Sequence, residues 1–285
     1  MKILVLGSTG LIGSTTLRVL SECTDWKVFG SIRSESGKKF FNPAIAERLL
    51  INVELSDYKT LQAIFDRVSP DVVVNCAGLT KHVAAGNSPI TAITLNSLLP
   101  HQLADFCAEA NARLIHISTD CVFSGKLGNY TEDDQPDSGD IYGRSKALGE
   151  VHYPHAITLR ASTIGHELQT SQGLLDWFLS QQGSCKGYTR AIFSGLPTVV
   201  FARVIRDIVI PRPELSGLYH VAGKPIAKYD LLRLIADVYE KSVEIIPDDS
   251  LVIDRSLNAS RILAATGYQT PDWPELVRIM HSHKF

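Results

Sequence analysis

Of nine tyrosines in the chain, Tyr142 alone has a lysine four residues later, in Tyr142-Gly143-Arg144-Ser145-Lys146. On a helix, positions i and i+4 share a face, so the ammonium stands near the phenol and favours its ionised form. A phenol shifted towards neutral pH becomes a usable proton donor or acceptor. A hydroxyl pair lies upstream, in Ser118-Thr119-Asp120-Cys121, directly after the apolar run Leu114-Ile115-His116-Ile117. A hydroxyl at the C-terminal end of a strand can hydrogen-bond a substrate carbonyl, because open α/β sheets bind ligands at that edge. His116, inside that run, reads as a satisfied core residue.

A third group is glycine-rich: Gly7-Ser8-Thr9-Gly10-Leu11-Ile12-Gly13 follows an apolar strand-like run and precedes a helical one. A tight turn at Gly7, close backbone approach at Gly10 and close packing at Gly13 would aim a helix N-terminus at a pyrophosphate. Thr9, Leu11 and Ile12 complete this candidate cofactor loop. About 20 residues on, an acid would bind the ribose 2′-hydroxyl of NAD. The chain instead reads Gly30-Ser31-Ile32-Arg33-Ser34, and Arg33 suits the 2′-phosphate of NADP, with Glu35 as a counterweight. NADP(H) is therefore expected over NAD(H). Further candidate cofactor contacts are Glu54, Leu55, the small residues Cys76-Ala77-Gly78 after Asn75, Asn96 and Ser118.

Parallel strands buried on both faces show no polar side. On that criterion strands are predicted at 2–6, 27–30, 51–53, 71–75, 113–117 and 156–159. Helices are predicted at 11–21, 57–68, about 90–110, 140–151, 198–210 and 228–241. This alternation predicts an α/β fold, a doubly wound parallel sheet of the Rossmann type. Residues 1–160 form the expected NADP-binding domain, with the chain returning to it around 192–212. Residues 161–285 form a smaller substrate-binding lobe, and the active site is expected in the cleft between the two.

Charge and composition exclude other classes. The 285 residues carry 28 Lys and Arg against 30 Asp and Glu, so no basic field exists to attract a phosphate backbone or an anionic membrane. Neither nucleic acid nor membrane is an expected partner. Five unpaired-looking cysteines fit neither a disulfide framework nor a zinc site, and no His, Asp or Glu spacing suggests a metal. With no signal-peptide core, the expected location is the cytoplasm.

The glycine triplet, Asn75-Cys76-Ala77-Gly78, Ser118-Thr119-Asp120 and Tyr142-x-x-x-Lys146 together resemble an extended short-chain dehydrogenase/reductase. Within that superfamily the run from Ser118 to Gly125, Tyr142 to Lys146, Leu159-Arg160-Ala161-Ser162, Gly195-Leu196-Pro197-Thr198 and Gly217-Leu218-Tyr219-His220 are similar to the dTDP-4-dehydrorhamnose reductase family. The resemblance implies NADPH-dependent reduction of a nucleotide-activated 4-keto-6-deoxysugar in polysaccharide precursor synthesis. Tyr142 would be the proton donor, Thr119 would orient the carbonyl and Lys146 would hold the nicotinamide ribose. Thr80, Lys81, Asp120, Cys121, Ser162, His166, Lys186 and Arg190 are the remaining candidate substrate contacts, and the reading admits a homodimer.

The chain departs from that family at Cys121, where tyrosine is usual, and at Ser162-Thr163-Ile164-Gly165-His166, where an aromatic run is usual. A Cys at position 121 rather than a Glu disfavours the related dehydratases. It also matches the proton-moving cysteine of the GDP-fucose synthase type, an epimerase and reductase, with His166 as a candidate partner. A third reading is a dinucleotide-binding regulatory subunit without catalysis.

Overall fold

A computed structural model describes residues 1–79, 88–169 and 171–284. The central sheet contains β1 (Lys2–Leu6), β2 (Lys27–Ser31), β3 (Leu49–Leu50), β4 (Val72–Asn75), β5 (Arg113–Thr119) and β6 (Ala156–Ala161). Its order is β6-β5-β4-β1-β2-β3, with the strand Gly217–His220 outside β6 as the seventh. The pairs β1–β2, β1–β4, β2–β3 and β4–β5 run parallel. The order reverses between β1 and β4, whose ends are in register at Leu6 and Asn75. That reversal is the topological switch point at which such sheets hold ligands.

The buried parallel strands are apolar because helices cover them. Leu4, Leu6, Val73 and Leu114 pack with Leu61 and Leu103 in one fully enclosed core, each with no exposed surface. Helix Tyr58–Val68 starts where Asp57 accepts from the backbone N–H groups of Lys59 and Thr60, satisfying two otherwise orphaned donors. The β3 strand lies two residues earlier than the expected 51–53, because Gly30 and Ser31 of β2 pair with Leu49 and Leu50.

The long helix expected near 90–110 runs from Pro89 to Glu109, but Ile93–Leu98 within it is a π-helix. Pro100 has no N–H to offer the Asn96 carbonyl four residues back, and the helix widens ahead of it. The same widening occurs at Ile205–Val209, within the expected 198–210 helix.

The chain divides into two compact units. The first comprises 1–118, 139–159 and 202–218, and the second 119–138, 160–201 and 219–285. In the second, Ser184–Tyr188 pairs in parallel with Glu244–Asp248, and Ala191–Phe193 is flanked by Ile226–Ala227 and Ile253–Asp254. Its interior includes a linked group of polar and aromatic side chains. The buried Arg160 guanidinium lies 5.0 Å from the Phe123 ring and 3.2 Å from His220 Nε2, and Phe123 stacks on Tyr130 at 4.0 Å. Glu132 accepts from the His220 backbone N–H at 2.8 Å. Burial and the neighbouring Arg160 push the His220 imidazole down to about 3, so it is neutral at physiological pH.

Candidate active site

In the first unit the glycine triplet forms a side-chain-free turn. Gly7 has φ +75°, a left-handed conformation that glycine adopts without strain, and Gly10 donates its N–H to Gly7 O at 3.0 Å. A Cβ at Gly13 would collide with the Gly7 carbonyl, so helix Leu11–Ser21 sits hard against the turn. Gly10 is the N-cap and no side chain caps the helix, which leaves first-turn N–H groups, with the positive dipole end, for an anion. Thr9 borders Gly37, and Leu11 and Ile12 open the helix at the half-buried surface.

Ser31, at the end of β2, receives the Gly7 N–H on its hydroxyl at 3.1 Å and the Ser8 N–H on its carbonyl at 3.1 Å, tying the turn to β2. Arg33, two residues on, is exposed. Glu35, the counterweight, is paired with Lys38 at 3.1 Å, which partly offsets its charge. Glu54 accepts from Ser56, and Leu55 packs against the core. The donor set of bare turn and helix end fits the pyrophosphate of a dinucleotide.

Behind β4, Asn75 Oδ1 accepts from the Ala77 N–H at 3.1 Å, folding the Cys76-Ala77-Gly78 turn. Asn75 Nδ2 donates to His116 Nδ1 at 3.1 Å. His116 is wholly buried and its Nε2 has no hydrogen-bond partner among the described residues, so the expectation of a satisfied core histidine holds for one ring nitrogen only. Burial, with Lys146 nearby, holds that imidazole well below its ordinary pKa, in the neutral form. Burial likewise pushes the Cys76 thiol up to about 12.

Helix Ile141–Leu148 carries Tyr142 and Lys146, and Asp140 caps it by accepting from the Gly143 N–H at 2.7 Å. Lys146 is 5% exposed, and its ammonium donates to Ile117 O of β5 at 2.6 Å. A Cβ at Gly78 would lie 3.1 Å from Asn96 Oδ1, tighter than ordinary contact, and 3.9 Å from Lys146 Nζ. Burial lowers the Lys146 ammonium to about 8, against the raising influence of Glu150 and then Cys76. Asn96, in the π segment, accepts from Leu79 N at 2.8 Å and donates to Leu79 O and to Ser145 Oγ. It therefore joins the turn after β4 to the tyrosine helix. The buried Ser118 spends its hydroxyl proton on Glu150 Oε1, at 2.7 Å.

In the second unit Thr119 Oγ1 donates to Asp120 Oδ1 at 3.1 Å and accepts from the Cys121 N–H at 3.2 Å. Asp120 is 9% exposed; burial raises its carboxyl, opposed by Arg255 and by hydrogen bonds from Thr119, Cys121 and Ser162. Three of the expected substrate residues, Thr119, Cys121 and Ser162, thus gather around the carboxylate of a fourth, Asp120. Arg255 joins them, with Nε donating to Phe123 O at 2.8 Å and one terminal nitrogen 3.8 Å from Cys121 Sγ. No local pattern marks Arg255, which lies 134 residues from Cys121.

The other expected substrate residues lie in different surroundings. His166 Nε2 is 3.1 Å from Tyr239 Oη and Nδ1 is 3.4 Å from Asp176. Lys186 pairs with Asp248 on the adjoining strand at 2.9 Å, and Arg190 is exposed. Thr80 and Lys81 lie outside the described residues. Among the described residues no group of His, Cys, Asp or Glu could hold a metal, and no helix is long and apolar enough to cross a membrane.

The profile of the family described as "RmlD substrate binding domain" matches residues 1–277. The probable low-salt glycan biosynthesis reductase Agl14 of Haloferax volcanii is 31% identical over 90% of this chain and 83% of its own. Methionine adenosyltransferase 2 subunit beta of Danio rerio is 28% identical over 84% and 74%. In fold, the chain is similar to dTDP-4-dehydrorhamnose reductase of Bacillus anthracis in complex with NADP, at a TM-score of 0.79, 18% identity and 99% coverage of both chains. It is equally similar to the Bordetella bronchiseptica enzyme WbmG in complex with NAD, at 0.80 and 19%, covering 99% of this chain and 93% of that one.

Proposed function

From the chain's membership of the RmlD substrate binding domain family, we propose that it reduces the ketone of a nucleotide-linked 4-keto-6-deoxysugar with NADPH, a step in supplying deoxysugars for polysaccharides. It is an NAD(P)-dependent oxidoreductase of the dTDP-4-dehydrorhamnose reductase type. The observation that carries the reading is the buried Lys146, anchored on β5 and sharing a helix with Tyr142.

The nicotinamide, when bound, supplies the hydride. The Gly7 to Gly13 turn and its helix end hold the pyrophosphate, and Arg33 holds the 2′-phosphate. Lys146 takes the nicotinamide ribose and favours the ionised form of the Tyr142 phenol, and that phenol gives its proton to the ketone oxygen. Charge arriving on that oxygen needs donors already in place, and Thr119 is the candidate hydroxyl for it. Thr119 gives its one hydroxyl proton to Asp120 at 3.1 Å, so donating to the ketone oxygen requires that proton to turn away from the carboxylate.

The test is consumption of NADPH and of NADH against dTDP-, UDP- and GDP-linked 4-keto-6-deoxysugars. Turnover with NADPH on one of them is the expected result, and equal use of NADH would remove Arg33 as the discriminating residue. Arg255 beside Cys121 favours a second reading, an accompanying epimerisation with Cys121 as acid/base, because a guanidinium stabilises a thiolate. Deuterium uptake from solvent at the carbon beside the ketone is its signature. Similarity to the methionine adenosyltransferase beta subunit supports a regulatory reading, which NADPH binding with no turnover on any sugar would favour.

A further inference from the structure

Glu150 is a carboxylate that the reduction chemistry does not use, yet it is only 7% exposed. A carboxylate is costly to bury unless it is paired, so its surroundings require an explanation. It lies four residues beyond Lys146, just past the end of helix Ile141–Leu148. Both side chains are tethered to consecutive residues of β5: Lys146 Nζ to Ile117 O at 2.6 Å, and Glu150 Oε1 to Ser118 Oγ at 2.7 Å. One strand therefore anchors both a buried ammonium and a buried carboxylate.

We propose that Glu150, held by Ser118, is the counter-charge that keeps Lys146 an ammonium, and is thus a positioning residue for the tyrosine chemistry. This rests on the reductase reading only for its consequence in turnover. Besides Glu150 and the Ile117 carbonyl, three titratable groups lie near Lys146. They are Tyr142 on its own helix, Cys76 after β4, whose raising influence on the ammonium is smaller than that of Glu150, and His116 on β5, which burial holds neutral. Glu150 is the largest influence opposing the desolvation of Lys146, whose titration already sits at about 8. Without that carboxylate the ammonium would lose its proton at a lower pH, and the phenol would lose the positive charge that favours its ionisation.

The test is direct titration of Lys146 in the full-length protein carrying 13C-labelled lysine, read by NMR and assigned through Lys146→Met. Glu150→Gln keeps the shape and still accepts from Ser118, but removes the charge. Its Lys146 midpoint is expected to fall by about one unit or more, the size of effect an adjacent opposite charge has on a titration. Ser118→Ala should shift the midpoint the same way by less, and Glu150→Asp should restore part of it. Should Glu150→Gln not fold, Ser118→Ala carries the test. A wild-type midpoint in Glu150→Gln, or in Ser118→Ala where that variant stands alone, overturns the proposal. Turnover is read separately, as the alkaline limb of the kcat profile moving down with the midpoint. Absence of turnover on every sugar would sink the reductase reading and leave the titration result standing.

Discussion

In the proposed reduction two residues separated by one helical turn, Tyr142 and Lys146, would carry the chemistry, and each has a distinct experimental signature. Tyr142→Phe removes a proton donor and no cofactor contact other than the hydroxyl, so NADPH binding should be nearly retained. Turnover should fall by roughly 10²–10⁴-fold, the usual worth of a positioned acid. Retained turnover in stopped assays would exclude Tyr142 as the donor. Lys146 sets a pH limit. Its ammonium is lost as pH rises through about 8, so kcat/KM is expected to decline above that pH. Stability moves the other way. The unfolded chain keeps this proton to its ordinary 10.5, so between about 8 and 10.5 the unfolded state binds more protons. The contribution of Lys146 to stability therefore rises with pH across that window. Urea unfolding of Lys146→Met across the same range should lack that rise, and an identical pH dependence in both proteins would contradict the assignment.

Among the elements, the packing of helix Ile141–Leu148 on the π segment Ile93–Leu98 decides where Tyr142 and Lys146 stand. Pro100 widens the long helix, Asn96 bonds Ser145, and Ser97 Oγ donates to Ser145 O at 2.8 Å. Gly149 makes the approach possible. A Cβ there would collide with the Asn96 carbonyl oxygen and lie 3.2 Å from Pro100 Cγ. Its φ of −91° is open to any residue, so the requirement is for space alone. Gly149→Ala should cost about 1–3 kcal/mol by overpacking, read in chemical denaturation, and should lower turnover because Lys146 moves with the helix. An alanine variant as stable and as active as the parent would mean that the contact relaxes freely.

For the whole molecule, the chain passes from one unit to the other at 118/119, 138/139, 159/160, 201/202 and 218/219. The first unit is therefore assembled from three separate stretches, and a fragment ending at Ser118 lacks 139–159 and 202–218. Such a fragment is expected not to bind NADPH, whereas the full chain should be stabilised by it. At a hundred times Kd the gain is about 2.7 kcal/mol, measurable as a shifted denaturation midpoint. A fragment binding as tightly as the full chain would show that the later stretches contribute nothing to the cofactor site.

Much of this protein was legible in one dimension, because its signals are local. Apolar runs without a polar face marked β1, β2, β4, β5 and β6, and Asp57 and Asp140 marked two helix starts. The glycine triplet and the Tyr142–Lys146 spacing are contained within single turns, so their geometry follows from chain periodicity. Glu150 could have been found the same way, four residues beyond Lys146. What needed the tertiary structure was everything set by distant partners. The π-helix at 93–98 follows from Pro100, but its use as a seat for Gly149 depends on a helix some 50 residues away. Membership of 119–138 in the second unit, and Arg255 beside Cys121, depend on contacts over more than a hundred residues. Local sequence encodes backbone conformation through sterics and burial pattern. Which side chains share a buried environment, and so which of them carry charge, is decided only when the chain is packed.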